Sequence, residues 1–193
     1  DYAEAWNNKG NVLKALGETD GALACYARAF ELAPGYAEAL YNLALMFKQA
    51  ERLEEAEAAY RQVIALKPTL ADAHNNLGNI LRQRGDIDAA MACYERALAL
   101  DPNYSEAHHN VGNALANRED LTGAMAAYER AVRAKPSHAN AWEHLAHLAL
   151  ELGEPKRAAE AARTALSMMP QDAKLYGVLG RAYKILQRRD EAL

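Results

Sequence analysis

The sequence predicts an all-α solenoid of antiparallel helix pairs, and three observations carry that reading. Proline recurs every 34 residues, at Pro34, Pro68, Pro102, Pro136 and Pro170. Within each period the large apolar residues fall three and four positions apart, the spacing of one helical face. Midway between prolines, Gly17, Gly85 and Gly153 mark a break. Composition agrees: 51% hydrophobic, 25% charged and only 7% aromatic residues describe an alanine- and leucine-rich chain able to bury a core. The period gives one solenoid over residues 1–193, with repeats at about 3–36, 37–70, 71–104, 105–138 and 139–172 and a partial repeat at 173–193. The chain enters its first period at Asp1 and leaves its last at Leu193, so it is expected to be a piece of something longer.

In the first helix of each repeat, Trp6, Leu40, His74, His108, Trp142 and Tyr176 share the fourth position. Lys9, Leu43, Leu77, Val111, Leu145 and Leu179 follow at the seventh, and Leu13, Phe47, Leu81, Leu115, Ala149 and Tyr183 at the eleventh. Together these make the apolar stripe, with His74 and His108 as structural members of it. The eighth position holds Gly10, Ala44, Gly78, Gly112, Ala146 and Gly180. Glycine inside a helix costs ~1 kcal/mol relative to alanine. Its recurrence therefore asks for close backbone approach by the paired helix.

The mid-repeat turn comes next, where Glu51 and Glu119 stand in for glycine and must find a less strained turn or bear the cost of one. The second helix is read from Ala22, Ala56, Ala90, Ala124, Ala158 and Ala192, followed four residues later by Tyr26, Tyr60, Tyr94 and Tyr128. Ala162 replaces the tyrosine in the fifth repeat, so packing there is expected to be thinner or filled by Trp142 and Tyr176. Each proline closes its second helix, because a helix interior keeps neither its backbone bond nor its sterics at proline. Thr69 with Asp72, and Asn103 with Glu106, have the spacing of capping boxes for the next helix. Helices of about 14 residues, or about 21 Å, result. A single pair cannot bury its own apolar face, so the pairs stack.

The stretches "AHNNLGNILRQRGDIDAAMACYERALALDP" and "AHHNVGNALANREDLTGAMAAYERAVRAKP" carry large–Leu–Gly, Ala–aromatic–Ala and Pro at the 34-residue period. In this the chain resembles the tetratricopeptide repeat (TPR) family over essentially its whole length. The resemblance implies a right-handed superhelix whose first helices line a concave surface that binds a peptide or partner protein.

The side of each first helix away from the stripe is rich in asparagine. The sixth position reads Asn8, Asn42, Asn76, Asn110, His144 and Val178, and the ninth reads Asn11, Leu45, Asn79, Asn113, His147 and Arg181. Positions three apart share a face, so a ladder of seven asparagines is expected in the groove. An amide offers both a donor and an acceptor, the complement of a peptide group, and suits the main chain of an extended guest. The competing reading is that these amides are solvated, or bond to one another and fix superhelical twist. The ladder is similar to that of the superhelical repeat region of O-linked N-acetylglucosamine transferase, which implies backbone clamping by Asn8, Asn42, Asn76 and Asn110, with Asn79 and Asn113 beside them. Tyr41 and Leu45 would add apolar anchors. Co-chaperones of the family clamp a terminal carboxylate; Asn11 and Asn42 fit that clamp, but Asn7, Asp72 and Asn76 occupy its cationic places and argue against it.

Lys14, Lys48 and Arg82 form a short basic run at the twelfth position, able to steer an acidic segment or simply solvated near helix C-termini. His144, His147 and His109 are the one metal-like grouping, with Glu143 or Glu106 to complete it, but the His-Glu-x-x-His spacing is absent and groove histidines also serve a peptide. No triad or phosphate loop is legible, so neither an enzyme nor a cofactor is expected. A net charge of −4 gives no reason to expect nucleic acid or an anionic membrane. Cys25 and Cys93 lie two periods apart, too far for a disulfide, and read as reduced in a cytoplasmic protein. The expected partner is another protein in extended conformation. The alternatives are an assembly scaffold using its ends or convex face, with self-association through exposed terminal repeats, and the substrate-recruiting arm of a larger enzyme such as a glycosyltransferase.

Overall fold

A computed structural model of the chain describes residues 2–190. Eleven α-helices occupy these residues: α1 Tyr2–Ala15, α2 Thr19–Leu32, α3 Ala37–Gln49, α4 Leu53–Leu66, α5 Ala71–Gln83, α6 Ile87–Leu100, α7 Ser105–Asn117, α8 Leu121–Ala134, α9 Ala139–Glu151, α10 Pro155–Met168 and α11 Ala173–Asp190. Two compact units divide them, Asp1–Asp101 with α1 to α6 and Pro102–Leu193 with α7 to α11. In each unit, helices consecutive in the chain pack on one another, and α9 also meets α11. Each unit is thus a right-handed all-α solenoid of antiparallel pairs.

Every second helix ends two residues before its proline, as at Leu32, Leu66 and Leu100. The mid-repeat turns are left-handed, with φ of +79°, +87° and +75° at Gly17, Gly85 and Gly153. Glu51 and Glu119 adopt the same conformation at +55° and +60°, so the two carboxylates bear the strain rather than evade it.

The capping boxes do not form. Leu70 and Tyr104 are the N-caps of α5 and α7 and make no side-chain cap, which leaves Thr69 and Asn103 one residue too early. Side-chain caps sit elsewhere: Asp86 accepts from the Ala89 amide at 3.1 Å at the start of α6, Asp120 from the Gly123 amide at 2.9 Å at the start of α8, and Asp172 from the Leu175 amide at 3.2 Å at the start of α11. Four of the first helices, α5, α7, α9 and α11, are anchored by their fourth residue. His74 and His108 donate from Nε2 to the carbonyls of Pro68 and Pro102 at 3.0 and 2.9 Å, and Trp142 and Tyr176 do the same to Pro136 and Pro170 at 2.9 and 3.3 Å. A polar tip on an otherwise apolar ring thus ties each helix start to the turn before it.

The recurrent glycines meet first a side chain of the paired helix, with the expected backbone approach seen at Gly78, where the Ala90 carbonyl lies 3.1 Å from a Cβ's place. A Cβ on Gly10, Gly78 or Gly112 would stand 2.5–2.6 Å from the ring of Tyr26, Tyr94 or Tyr128, so the tyrosine of the second helix occupies the missing side chain's space. At Gly180 nothing lies within 4 Å. In the fifth repeat Ala162 is fully buried in a cluster that includes Leu175 and Val178 of α11. Trp142 packs against that cluster, but Tyr176 is 56% exposed and fills nothing. The helix α11 runs unbroken past Gln187, the residue equivalent to the earlier turn positions, and Ala192 lies outside the described residues.

Candidate functional site

Three rows of side chains run along the face of the first helices. The fifth position, whose Asn7, Tyr41 and His109 the sequence offered singly and not as a row, holds Asn7, Tyr41, Asn75 and His109. These residues reach the sixth position of the next repeat within each unit. Asn42 Nδ2 donates to Asn7 Oδ1 at 3.0 Å, Asn76 Nδ2 donates to the Tyr41 hydroxyl at 3.0 Å, and His109 Nε2 lies 3.2 Å from His144 Nδ1. Asn7 is 1% exposed and donates its own amide to Glu38 at 3.3 Å. The sixth-position amides therefore spend part of their hydrogen-bonding capacity between repeats. Asn8 is exposed and makes no hydrogen bond among the described residues, whereas Asn75 and Asn110 are buried and partnered.

The ninth-position row is built by the second helices. The hydroxyls of Tyr26, Tyr94 and Tyr128 donate to Oδ1 of Asn11, Asn79 and Asn113 at 2.8, 2.9 and 2.8 Å. Burial, opposed by Arg82, pushes the Tyr94 phenol up to about 12, and burial raises Tyr26 as well, so both stay protonated donors. Fixing Oδ1 turns each Nδ2 outward, and these amino groups have no partner among the described residues. In the second repeat Leu45 takes the asparagine's place and the buried Tyr60 hydroxyl is left without a hydrogen bond. Tyr60 instead meets Tyr41 edge to face, with ring centroids 5.8 Å apart.

The comparisons follow this periodicity. Family models described as tetratricopeptide repeat match residues 1–69, 59–92 and 115–179, and a TPR repeat model matches 78–118. The chain belongs to the tetratricopeptide-repeat family. No curated protein matches its sequence. Among solved structures it is similar to YrrB, titled a TPR protein with an unusual peptide-binding site, at 26% identity and a TM-score of 0.66 over 88% of this chain and 87% of that one. It is also similar to the pilF protein of Pseudomonas aeruginosa, at 22% identity and a TM-score of 0.87 over 98% of this chain and 86% of that one. MamA of Desulfovibrio magneticus is 21% identical, with a TM-score of 0.75 over 90% of this chain and 98% of that one.

The charged and aromatic residues of these TPR helices sort by position. Lys48 is half-buried, donates to Asn76 Oδ1 at 3.3 Å, and burial lowers its pKa; it braces the ladder rather than standing free in solvent. Lys14 is half-buried, and the Nε of Arg82 is buried without a hydrogen-bond partner.

In the second unit, His109 gathers Tyr128, His138 and His144 around it, with centroids 5.6, 5.0 and 5.0 Å away. His138 and Ser105 are further residues the sequence did not disclose. The Ser105 hydroxyl donates to the Ala131 carbonyl at 2.8 Å, so it accepts from His138 Nδ1 at 2.7 Å, which settles that tautomer. His144 Nδ1 lies 2.7 Å from the Asn140 carbonyl and must donate to it, leaving His109 Nε2 an acceptor of the same proton. No group of three metal-ligating side chains occurs among the described residues, and His147 stands apart in a cleft of about 670 Å³ between α7, α8 and α9. No helix of the described residues is long and apolar enough to cross a membrane.

Proposed function

We propose that this TPR protein holds an extended segment of a partner protein along the asparagine-bearing face of its first helices, through hydrogen bonds to the guest's main chain. The observation that carries the reading is the ninth-position row, where a buried tyrosine hydroxyl occupies each Oδ1 and presents each Nδ2 to a guest carbonyl. Of the sixth-position amides, Asn42 and Asn76 serve in part as struts between repeats, with spare lone pairs and donors for the guest, and Asn8 and Asn110 extend the row. By its sequence the row resembles the asparagine ladder of O-linked N-acetylglucosamine transferase, and similarity to YrrB, described as having an unusual peptide-binding site, supports a peptide ligand. Tyr41 and Leu45 supply apolar contact, and Lys14, Lys48 and Arg82 favour an acidic stretch at the first three repeats. His109, His144 and His147 would meet the guest over α7 and α9. The thiols of Cys25 and Cys93 are free, which fits the cytoplasm.

The test keeps the tyrosine bonds and removes only the donors. Asn11→Asp, Asn79→Asp and Asn113→Asp together retain an acceptor for each hydroxyl but have no amino group to offer. Peptides selected on the chain from a random library should bind with a Kd on the order of micromolar, and the triple variant should lose them while its helical circular dichroism is kept. Affinity unchanged in the variant sinks the reading.

An assembly role is favoured by a separate observation. Tyr2, Val12 and Leu16 at 83, 59 and 68% exposure lie along one stripe of α1 and its end, and Tyr176 and Tyr183 at 56 and 48% share a face of α11. Tyr26 of the same repeat is fully buried and adds nothing to that surface.

A further inference from the structure

The cleft between α7, α8 and α9 has a side-chain specificity of its own. It is lined by Glu119, Leu121, Tyr128, His144, His147 and Glu151, and its volume of about 670 Å³ is that of a ligand site rather than a packing gap. No lysine or arginine is among the residues lining it. Neither carboxylate makes an ion pair or hydrogen bond among the described residues, and both are exposed.

The repeat itself shows what such a pair normally does. Glu119 and Glu151 are the repeat equivalents of Glu51 and Gln83, and in the first unit Gln83 Nε2 donates to Glu51 Oε2 at 3.3 Å. In the second unit the donor is replaced by a second carboxylate, so both members of the pair are acceptors and neither can supply a hydrogen to the other. A cation brought by a ligand would supply it. Beside the carboxylates, half-buried His144 stacks on the buried ring of Tyr128 at 5.2 Å with 25° between their planes, which backs the imidazole as a flat wall for a planar cation. Tyr128 is also the residue that orients Asn113, at 2.8 Å, so the cleft adjoins a main-chain donor.

We propose that this cleft is an arginine subsite, in which a guanidinium lies over the His144 ring that Tyr128 backs and its N–H groups fork between Glu119 and Glu151. It deepens the peptide-binding reading by naming one residue of the guest, and rests on it for the guest's direction along the face. Arginine is preferred to lysine because its planar fork serves two carboxylates and an aromatic face at once, where an ammonium is a point charge. Arg181 lines the adjoining cleft with His147 and Glu151 and makes no ion pair with that carboxylate.

The experiment uses the full chain and N-acetylarginine methylamide, followed through the ring-proton resonances of His144 and His147. Saturable shifts of both rings are expected, about tenfold weaker binding in Glu119→Gln/Glu151→Gln, and none for the citrulline analogue. Equal binding by the lysine or citrulline analogue, or no weakening in the double variant, overturns the proposal. Glu151→Gln alone recreates the Glu51–Gln83 pairing, so loss of binding there with an unchanged thermal midpoint separates the subsite from a folding defect. The probe has too little backbone to use the ladder. Arginine binding by the chain together with peptide affinity unchanged in Asn11→Asp/Asn79→Asp would therefore sink the ladder alone, and no arginine binding together with peptide affinity lost in that variant would sink the subsite alone.

Discussion

Two neighbouring residues and a third 15 positions further on act as one unit in the first, third and fourth repeats. Gly10 with Asn11 and Tyr26, Gly78 with Asn79 and Tyr94, and Gly112 with Asn113 and Tyr128 each combine a bare backbone, a ring laid on it and an amide that accepts from the ring's hydroxyl. The second repeat keeps the tyrosine but changes both partners, to Ala44 and Leu45, and there the hydroxyl of Tyr60 is orphaned. An unpaired buried hydroxyl costs free energy that a phenylalanine would not. Tyr60→Phe should accordingly leave stability unchanged or raise it, while Tyr94→Phe should cost about 1 kcal/mol by leaving Asn79 unpaired. Urea denaturation of the two variants checks this, and equal losses would mean that the Asn79 bond contributes nothing. Sequence periodicity exposed the glycine, the asparagine and the tyrosine as separate columns. What joined them was the ring's position over the neighbouring helix.

At the scale of the helices, the ties that fix one element to the next are polar groups on apolar rings and turns. The start of α9 is held to the start of α7 through His138 and Ser105, and His138 lies among Glu106, Lys135, His109 and His144. Burial, with the charges of Lys135 and His144, holds His138 below its ordinary 6.5 against the opposing pull of Glu106. A folded-state value below the unfolded one means that the unfolded chain binds the proton first. The stabilisation is complete above 6.5 and is lost as the pH falls below it toward the folded value. The thermal midpoint should therefore drop between about pH 7 and pH 5, and His138→Asn, which keeps a donor for Ser105 but cannot titrate, should flatten that drop. A slope unchanged in His138→Asn would assign it to other groups. The helix boundaries were legible because proline and glycine act through the backbone, whereas the capping assignments failed. Thr69 and Asn103 have the right spacing but sit one residue outside the caps at Leu70 and Tyr104, and the spacing of a motif does not fix its phase.

For the molecule as a whole, apolar area at α1 and α11 is large enough to matter in solution. Tyr2, Val12 and Leu16 offer one such surface and Tyr176 with Tyr183 another. If these two faces are complementary, association is head to tail and does not close, so mass should rise steadily with concentration. Light scattering across a concentration series is expected to show that rise, and Leu16→Ser with Tyr176→Ser to abolish it. A concentration-independent monomer mass would exclude the assembly role. The fold class, repeat period, positions of the turns and tyrosine column were all determined by sequence alone, because helix periodicity and the backbone restrictions of proline and glycine are local and need no partner to be read. Which amides remain available was decided only by tertiary structure. Asn42 and Asn76 look alike in the sequence, but one donates to Asn7 and the other to Tyr41 and accepts from Lys48, while Asn11, Asn79 and Asn113 each have their oxygen taken by a tyrosine of the paired helix. A hydrogen bond is directional and short, so its partner is chosen by where the neighbouring helix places a side chain, and no one-dimensional pattern carries that distance.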